Sequence, residues 1–216
     1  MKKNYKERIL AVVMLLVSFL FLLGLTIMVT GCSIDDPVIP QTPESKPVEV
    51  KPIIVKPQVY KFRWDNPTYT KYLVDALKSN SLLTLQVNDI KDFGTNDDPI
   101  EFWGNIFVEM AYFESKWKPE TYYKESFGLY SRGLFQLSKV DGKRYGCDFT
   151  TEKSVHNEKA NIECAVLVME KLVKQNGSIA GKVSGKWQGG ARYWSVLRGT
   201  RKYTAKALKA IKGANK

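Results

Sequence analysis

Residues 98–119 read DPIEFWGNIFVEMAYFESKWKP. Asp98 is a residue type that caps helices, Pro99 fits the first helical position, and Glu101 stands three residues after the cap. Behind this start, Trp103, Ile106, Phe107, Met110 and Ala111 recur at the spacing of one helical face. Glu114 is the next position in that series and projects from the apolar side, whereas Glu101, Asn105, Glu109 and Tyr112 fall on the opposite side. A carboxyl at the end of an apolar stripe loses water, which disfavours its charged form. A carboxyl that keeps its proton near neutral pH serves as a general acid. The competing reading ends the helix earlier and makes Glu114 a solvated cap. Glu120 and Glu125 lie in a polar, lysine-bearing stretch after Pro119 and read as surface charges.

Similar signals place other helices around this one. Asn66-Pro67 starts a helix with Tyr69, Tyr72, Leu73, Ala76 and Leu77 on one face. Residues 80–98 look irregular. A second long helix is expected from about Asn157 to Gln175, with a stripe of Ile162, Ala165, Val166, Met169, Leu172 and Val173 and a stop at Asn176-Gly177. Further helices are expected after Gly190 and over 202–212. The intervening 118–150 is rich in Gly, Tyr and Ser and reads as loop with short strands. The folded part is therefore mainly α, spans 61–216, and at 44% apolar content the chain can build a core.

The amino-terminal residues belong to export rather than to this core. Lys2, Lys3, Lys6 and Arg8 precede a charge-free run that starts at Ile9 and lasts until Asp35 interrupts it, the pattern of a secretory signal. The run is also long enough to span a bilayer, so a cleaved signal over 1–31 and a retained anchor both fit. Val29-Thr30-Gly31-Cys32 resembles a bacterial lipobox, in which Cys32 is lipidated and becomes the mature amino terminus. Ser33, rather than Asp, after that cysteine suggests outer-membrane sorting in a cell with two membranes. Residues 32–60 hold Pro37, Pro40, Pro43, Pro47, Pro52 and Pro57 and form an extended, semi-rigid spacer. Lipidation of Cys32 leaves Cys147 and Cys164, which either pair in an oxidising envelope compartment or remain two buried thiols. His156 is the sole histidine, and the cysteines lack ligand spacing, so no metal site is indicated.

The residues around Glu114 also resemble a known family. Glu114-Ser115-Lys116-Trp117-Lys118-Pro119 resembles the Glu-Ser-x-aromatic-x-Pro motif of soluble lytic transglycosylase domains, relatives of goose-type lysozymes. Ser131-Arg132-Gly133-Leu134-Phe135-Gln136-Leu137 resembles their Gly-Leu-Met-Gln motif, with Phe135 for Met. Asn161 resembles the asparagine of their third motif, and Gly189-Gly190-Ala191-Arg192-Tyr193-Trp194 their Ala-Tyr-Asn motif. The resemblance covers about residues 100–200. It implies an α+β lysozyme-like fold, a helical domain with a small loop and short-strand region around a substrate groove. It further implies cleavage of the β-1,4 bond between N-acetylmuramic acid and N-acetylglucosamine in peptidoglycan, without a cofactor. Glu114 maps to the catalytic acid and Ser115 to a serine that positions it. Gln136 and Tyr193 map to groove residues, and Phe135 and Asn161 belong to the same substrate-binding motifs. Trp194 stands where the family has asparagine, which leaves that role open.

Most glycosidases need two carboxylates, and none besides Glu114 is securely placed. Asp141 is the nearest candidate after Gln136, in an apparent Asp141-Gly142 turn. That scarcity suits a lytic transglycosylase, in which the substrate's own 6-hydroxyl is the nucleophile and a 1,6-anhydro ring forms. A water-using lysozyme on the same fold and a non-catalytic peptidoglycan-binding lipoprotein are the alternatives. Aromatic faces such as Tyr122, Tyr123, Trp117 and Trp194 offer stacking surfaces for sugars. The net charge of +11 and the acid-free tail 198–216 fit an anionic cell-wall partner. Nucleic acid is not expected for an exported, membrane-tethered protein.

Overall fold

The computed structural model describes residues 58–126 and 128–216. The export segment, Cys32 and nearly all of the spacer lie outside the described residues. The first described helix, α1 (Pro67–Lys78), begins where Asn66-Pro67 predicts, with the Asn66 side chain accepting from the Tyr69 backbone N–H. Leu73, Val74, Ala76 and Leu77 form its buried face, and Tyr69 and Tyr72 pack at the rim of the core. The stretch expected to be irregular contains two 3-10 turns, Ser81–Thr84 and Ile90–Phe93.

Helix α2 (Pro99–Ser115) is the element that the opening stretch encodes. Asp98 accepts from the N–H groups of Ile100 and Glu101, which satisfies two of the helix's otherwise unpaired donors. Trp103, Ile106, Phe107, Met110 and Ala111 are buried, but so are Phe102, Gly104, Val108, Glu109 and Phe113. The expectation of a solvated back face is thus corrected at Glu109. Phe62 and Arg63 cover it. The Phe62 ring lies so close to Gly104 that a Cβ there would approach it to 2.1 Å. Glycine inside a helix costs about 1 kcal/mol relative to alanine, and the packed ring offsets that loss. Arg63 Nη1 meets Glu109 Oε1 at 2.5 Å, compensating a carboxylate that is otherwise out of water. Lys116 and Trp117 then turn the chain through the left-handed region, at φ 59 and 62. The Trp117 indole N–H is anchored on the Val108 carbonyl at 2.8 Å.

The glycine- and tyrosine-rich stretch forms an antiparallel hairpin, β1 (Tyr122–Lys124) with β2 (Tyr130–Arg132), in which Tyr122 faces Arg132 and Lys124 faces Tyr130. It is followed by α3 (Val140–Tyr145), where a turn was expected. Asp141 lies in the first turn of α3 and accepts from the Ser138 N–H at 2.8 Å, which starts that helix.

Helix α4 (Glu158–Asn176) is capped by Asn157 and closed by Gly177 at φ 61. It packs on α1 and, through Cys164, carries the disulfide to Cys147, S–S 2.06 Å. The link closes a short loop and stabilises the fold by roughly 3 kcal/mol in the chain-entropy account. A second hairpin pairs β3 (Lys182–Val183) with β4 (Lys186–Trp187). The turns Gly189–Arg192 and Ser195–Leu197 are 3-10 rather than α-helical. Helix α5 (Lys202–Lys212) packs on α2 with Ala207 and Ile211 buried. The expected architecture, a helical domain with a small short-strand region, is the one observed.

Candidate active site

The last turn of α2, the β1–β2 hairpin and the segment after α4 enclose a groove of about 840 Å³. Glu114 lines it, at the position that helical phase predicts. Its Oε1 is sealed from solvent and has no hydrogen-bond partner, while the residue as a whole stays partly open to the groove. Burial raises its pKa from the ordinary 4.5 to about 8, with the negative charge of Glu125 adding to the rise and Arg198 opposing it. Glu114 therefore keeps its proton at neutral pH and can give it to a leaving group.

That proton has a thermodynamic signature. The unfolded chain ionises Glu114 near 4.5, whereas the folded chain holds the proton until about 8. Across this window the unfolded state binds fewer protons, so stability falls as pH rises. Glu114→Gln removes the effect. Its unfolding free energy should match wild type near pH 4 and exceed it increasingly up to about pH 8, by on the order of 3 kcal/mol at neutral pH. A pH-independent difference in melting curves recorded from pH 4 to 9 would mean that Glu114 titrates normally.

The other expected site residues separate into two groups. Gln136 and Tyr193 line the groove with Glu114. Gln136 sits at φ 48, and its Nε2 donates to the carbonyls of Gly133 and Thr121 at 2.9 and 3.2 Å. The Tyr193 hydroxyl donates to Asp141 Oδ2. Burial and the Asp141 charge push the Tyr193 pKa far up, so it stays a neutral donor. Asp141 itself is 1% exposed and bound by Ser138 and Tyr193. It holds the tyrosine and does not enter the groove, which removes it as a second acid.

Ser115, Phe135 and Asn161 form the second group. The Ser115 hydroxyl donates to the Ala111 carbonyl at 3.0 Å, one turn back along α2, and makes no bond to Glu114. The expected positioning of the acid by that hydroxyl is thus not seen. Phe135 is completely buried, edge-on to Phe107 at 5.7 Å between ring centroids, and cannot stack on a sugar. Asn161, also completely buried, accepts from the Phe135 N–H at 2.9 Å and donates to the Arg132 and Val155 carbonyls at 3.1 and 2.9 Å. It clamps the turn that presents Gln136, rather than contacting a ligand. Gly133 lies under this clamp at φ 77, where a Cβ would meet the Asn161 amide at 2.5 Å. Trp194 is likewise a buried support, its indole N–H donating to the Phe135 carbonyl at 3.0 Å. The open aromatic faces in the groove are Tyr122, Tyr123 and Tyr203, 67%, 64% and 49% exposed.

Glu125, Arg198, Arg201 and Tyr203 line the groove without having been anticipated as site residues. Glu125 is exposed, as a surface charge should be, yet it lines the groove and accepts from the Ser131 hydroxyl at 2.7 Å. Hairpin pairing brings it there, and no periodicity in the sequence marks it. Arg198 was counted with the basic tail. Its guanidinium is held by the carbonyls of Ala191 and Arg192 at 2.8 and 3.0 Å and lines the groove near Glu114.

No family model matches the chain, and no curated protein sequence does. Among solved structures, the chain is similar to DslA of Bdellovibrio in its wild-type form, with 32% identity over 67% of this chain and 88% of that one, at a TM-score of 0.61. Two single glutamate-to-glutamine variants of DslA match equally, at 31% identity and TM-scores of 0.62 and 0.61. The two glutamates replaced stand eleven positions apart in DslA, which is also the separation of Glu114 and Glu125 here.

Proposed function

Because the chain belongs to the family of lysozyme-like enzymes that includes DslA, we propose that it cleaves the β-1,4 bond between N-acetylmuramic acid and N-acetylglucosamine of peptidoglycan. The observation that carries this reading is Glu114, a carboxyl kept protonated by burial beside an open groove with aromatic faces. In the lytic course Glu114 protonates the glycosidic oxygen, and the electron pair of the breaking C1–O bond leaves with that oxygen. The substrate's N-acetyl group supports the positive charge at C1. The Glu114 carboxylate then takes the proton of the muramic 6-hydroxyl as its oxygen attacks C1, closing the 1,6-anhydro ring. One carboxyl serves twice, and it is the one that burial tunes. Either a lipid on Cys32 after cleavage of 1–31, or 1–31 retained as an anchor, would tether the domain to the envelope membrane, with the spacer 32–60 as its stalk.

Glu125 favours a second reading. An exposed carboxylate in the same groove, hydrogen-bonded by Ser131, can take a proton from water. Hydrolysis would then replace ring closure. Digestion of purified peptidoglycan followed by mass spectrometry separates the two courses. The lytic product is lighter by one water, and its formation should survive Glu125→Gln. A hydrolytic product from wild type, lost in Glu125→Gln, would establish the second course. Release of no muropeptide at all would leave only a binding protein.

A further inference from the structure

Behind Tyr193 lies a second cavity of about 350 Å³, lined by Arg144, Tyr145, Lys171, Gln175, Arg192 and Tyr193 among others. Tyr193 also lines the main groove. The cavity therefore adjoins the groove across one side chain, which Asp141 holds in place.

Its charge is one-sided. Three cations line it and no carboxylate does. None of Arg144, Lys171 and Arg192 takes part in an ion pair among the described residues. Fold-building needs account for part of their bonding. Lys171 Nζ donates to the Tyr145 carbonyl at 2.6 Å, and Arg192 Nη1 donates to Gln175 Oε1 at 2.6 Å. Both partners are neutral, so these two bonds direct the positive charge without compensating it. A guanidinium so placed has further N–H groups to offer, and their fork matches a carboxylate. Tyr145 and Tyr193, edge to face at 6.0 Å between centroids, add an apolar wall.

We infer that this cavity is a subsite for a carboxylate on the peptide stem of the muramic residue bound in the groove. The inference rests on the proposed reading of the groove as a peptidoglycan site. Tyr193 lines both the groove and the cavity, so a substituent hanging from the glycan past Tyr193 would enter the cavity. The cavity then reads whether the strand carries a stem and whether that stem is charged.

Three substrates and one double variant test it. The substrates are glycan strands with intact stems, strands with amidated stem carboxylates, and strands stripped of stems. For wild type, kcat/KM on intact stems should exceed that on amidated stems by about tenfold. Arg144→Gln combined with Arg192→Gln should abolish that preference and keep the wild-type rate on stripped strands. Equal wild-type rates on intact and amidated stems would overturn the subsite, as would a preference that survives the double substitution. Calorimetry with the free stem tetrapeptide decides the cavity independently of cleavage. The tetrapeptide should bind wild type and not the double variant, and inorganic phosphate should compete weakly. A wild-type protein that cleaves none of the strands but binds the tetrapeptide would refute the enzymatic reading alone. Binding of phosphate without the tetrapeptide would refute the subsite.

Discussion

Replacing Glu114 with glutamine should lower the rate of glycan cleavage by about a thousandfold or more, the usual scale for losing a positioned general acid. Glutamine has nearly the same shape, so packing at the end of α2 is kept. It carries no transferable proton, so the leaving oxygen must depart as an alkoxide. The loss should appear in kcat with little change in KM, because the interaction is made in the transition state. The fold should gain stability at neutral pH for the reason given above, so inactivity cannot be attributed to unfolding. The pH profile of the wild type carries the same information. Activity should decline as pH climbs through about 8, where Glu114 gives up its proton. An active Glu114→Gln, measured on purified peptidoglycan, would remove Glu114 from the mechanism.

Asn161→Leu should be the most damaging change away from the groove. Asn161 is 0% exposed and makes three hydrogen bonds to backbone groups of the segment 132–155. Leucine matches its size and makes none of them. The Phe135 N–H and the Val155 carbonyl then lose their bonds to the amide out of reach of water, while the Arg132 carbonyl keeps the Leu137 N–H. Each buried group left unpaired costs about 1–3 kcal/mol, so a destabilisation of about 3 kcal/mol is expected. For a domain of this size that lowers the melting temperature by roughly 10 °C. The Gln136 turn should loosen as well, raising KM for glycan strands. A variant with normal KM and normal melting would show that Asn161 is not the clamp described.

The difference between these two residues shows what kind of signal a sequence carries. Glu114 was legible because its cause is local. Asp98 and Pro99 set the helix start, and 3.6 residues per turn then bring position 114 to the apolar face. Asn161 drew attention only through a motif, and its expected role as a substrate contact was misplaced. Whether a polar side chain meets a ligand or a backbone depends on what packs above it. Here that is the turn around Gly133 and Phe135, from a distant part of the chain. Phe135 shows the same limit, since an aromatic residue in a binding motif is equally suited to a groove wall or a core.

By itself the sequence determined the helical character of the domain, the starts of its long helices, the stop of α4, and the side of α2 on which Glu114 stands. These follow from capping chemistry and periodicity, which act over a few residues. Only the tertiary structure decided that Glu109 is buried and paired with Arg63, and that Cys147 and Cys164 are joined. It also decided that Asp141 supports Tyr193, and that Glu125 and Arg198 share the groove with Glu114. Each of these depends on bringing together residues far apart in the chain. Which segments meet is set by the packing of the whole core, and no local pattern encodes it.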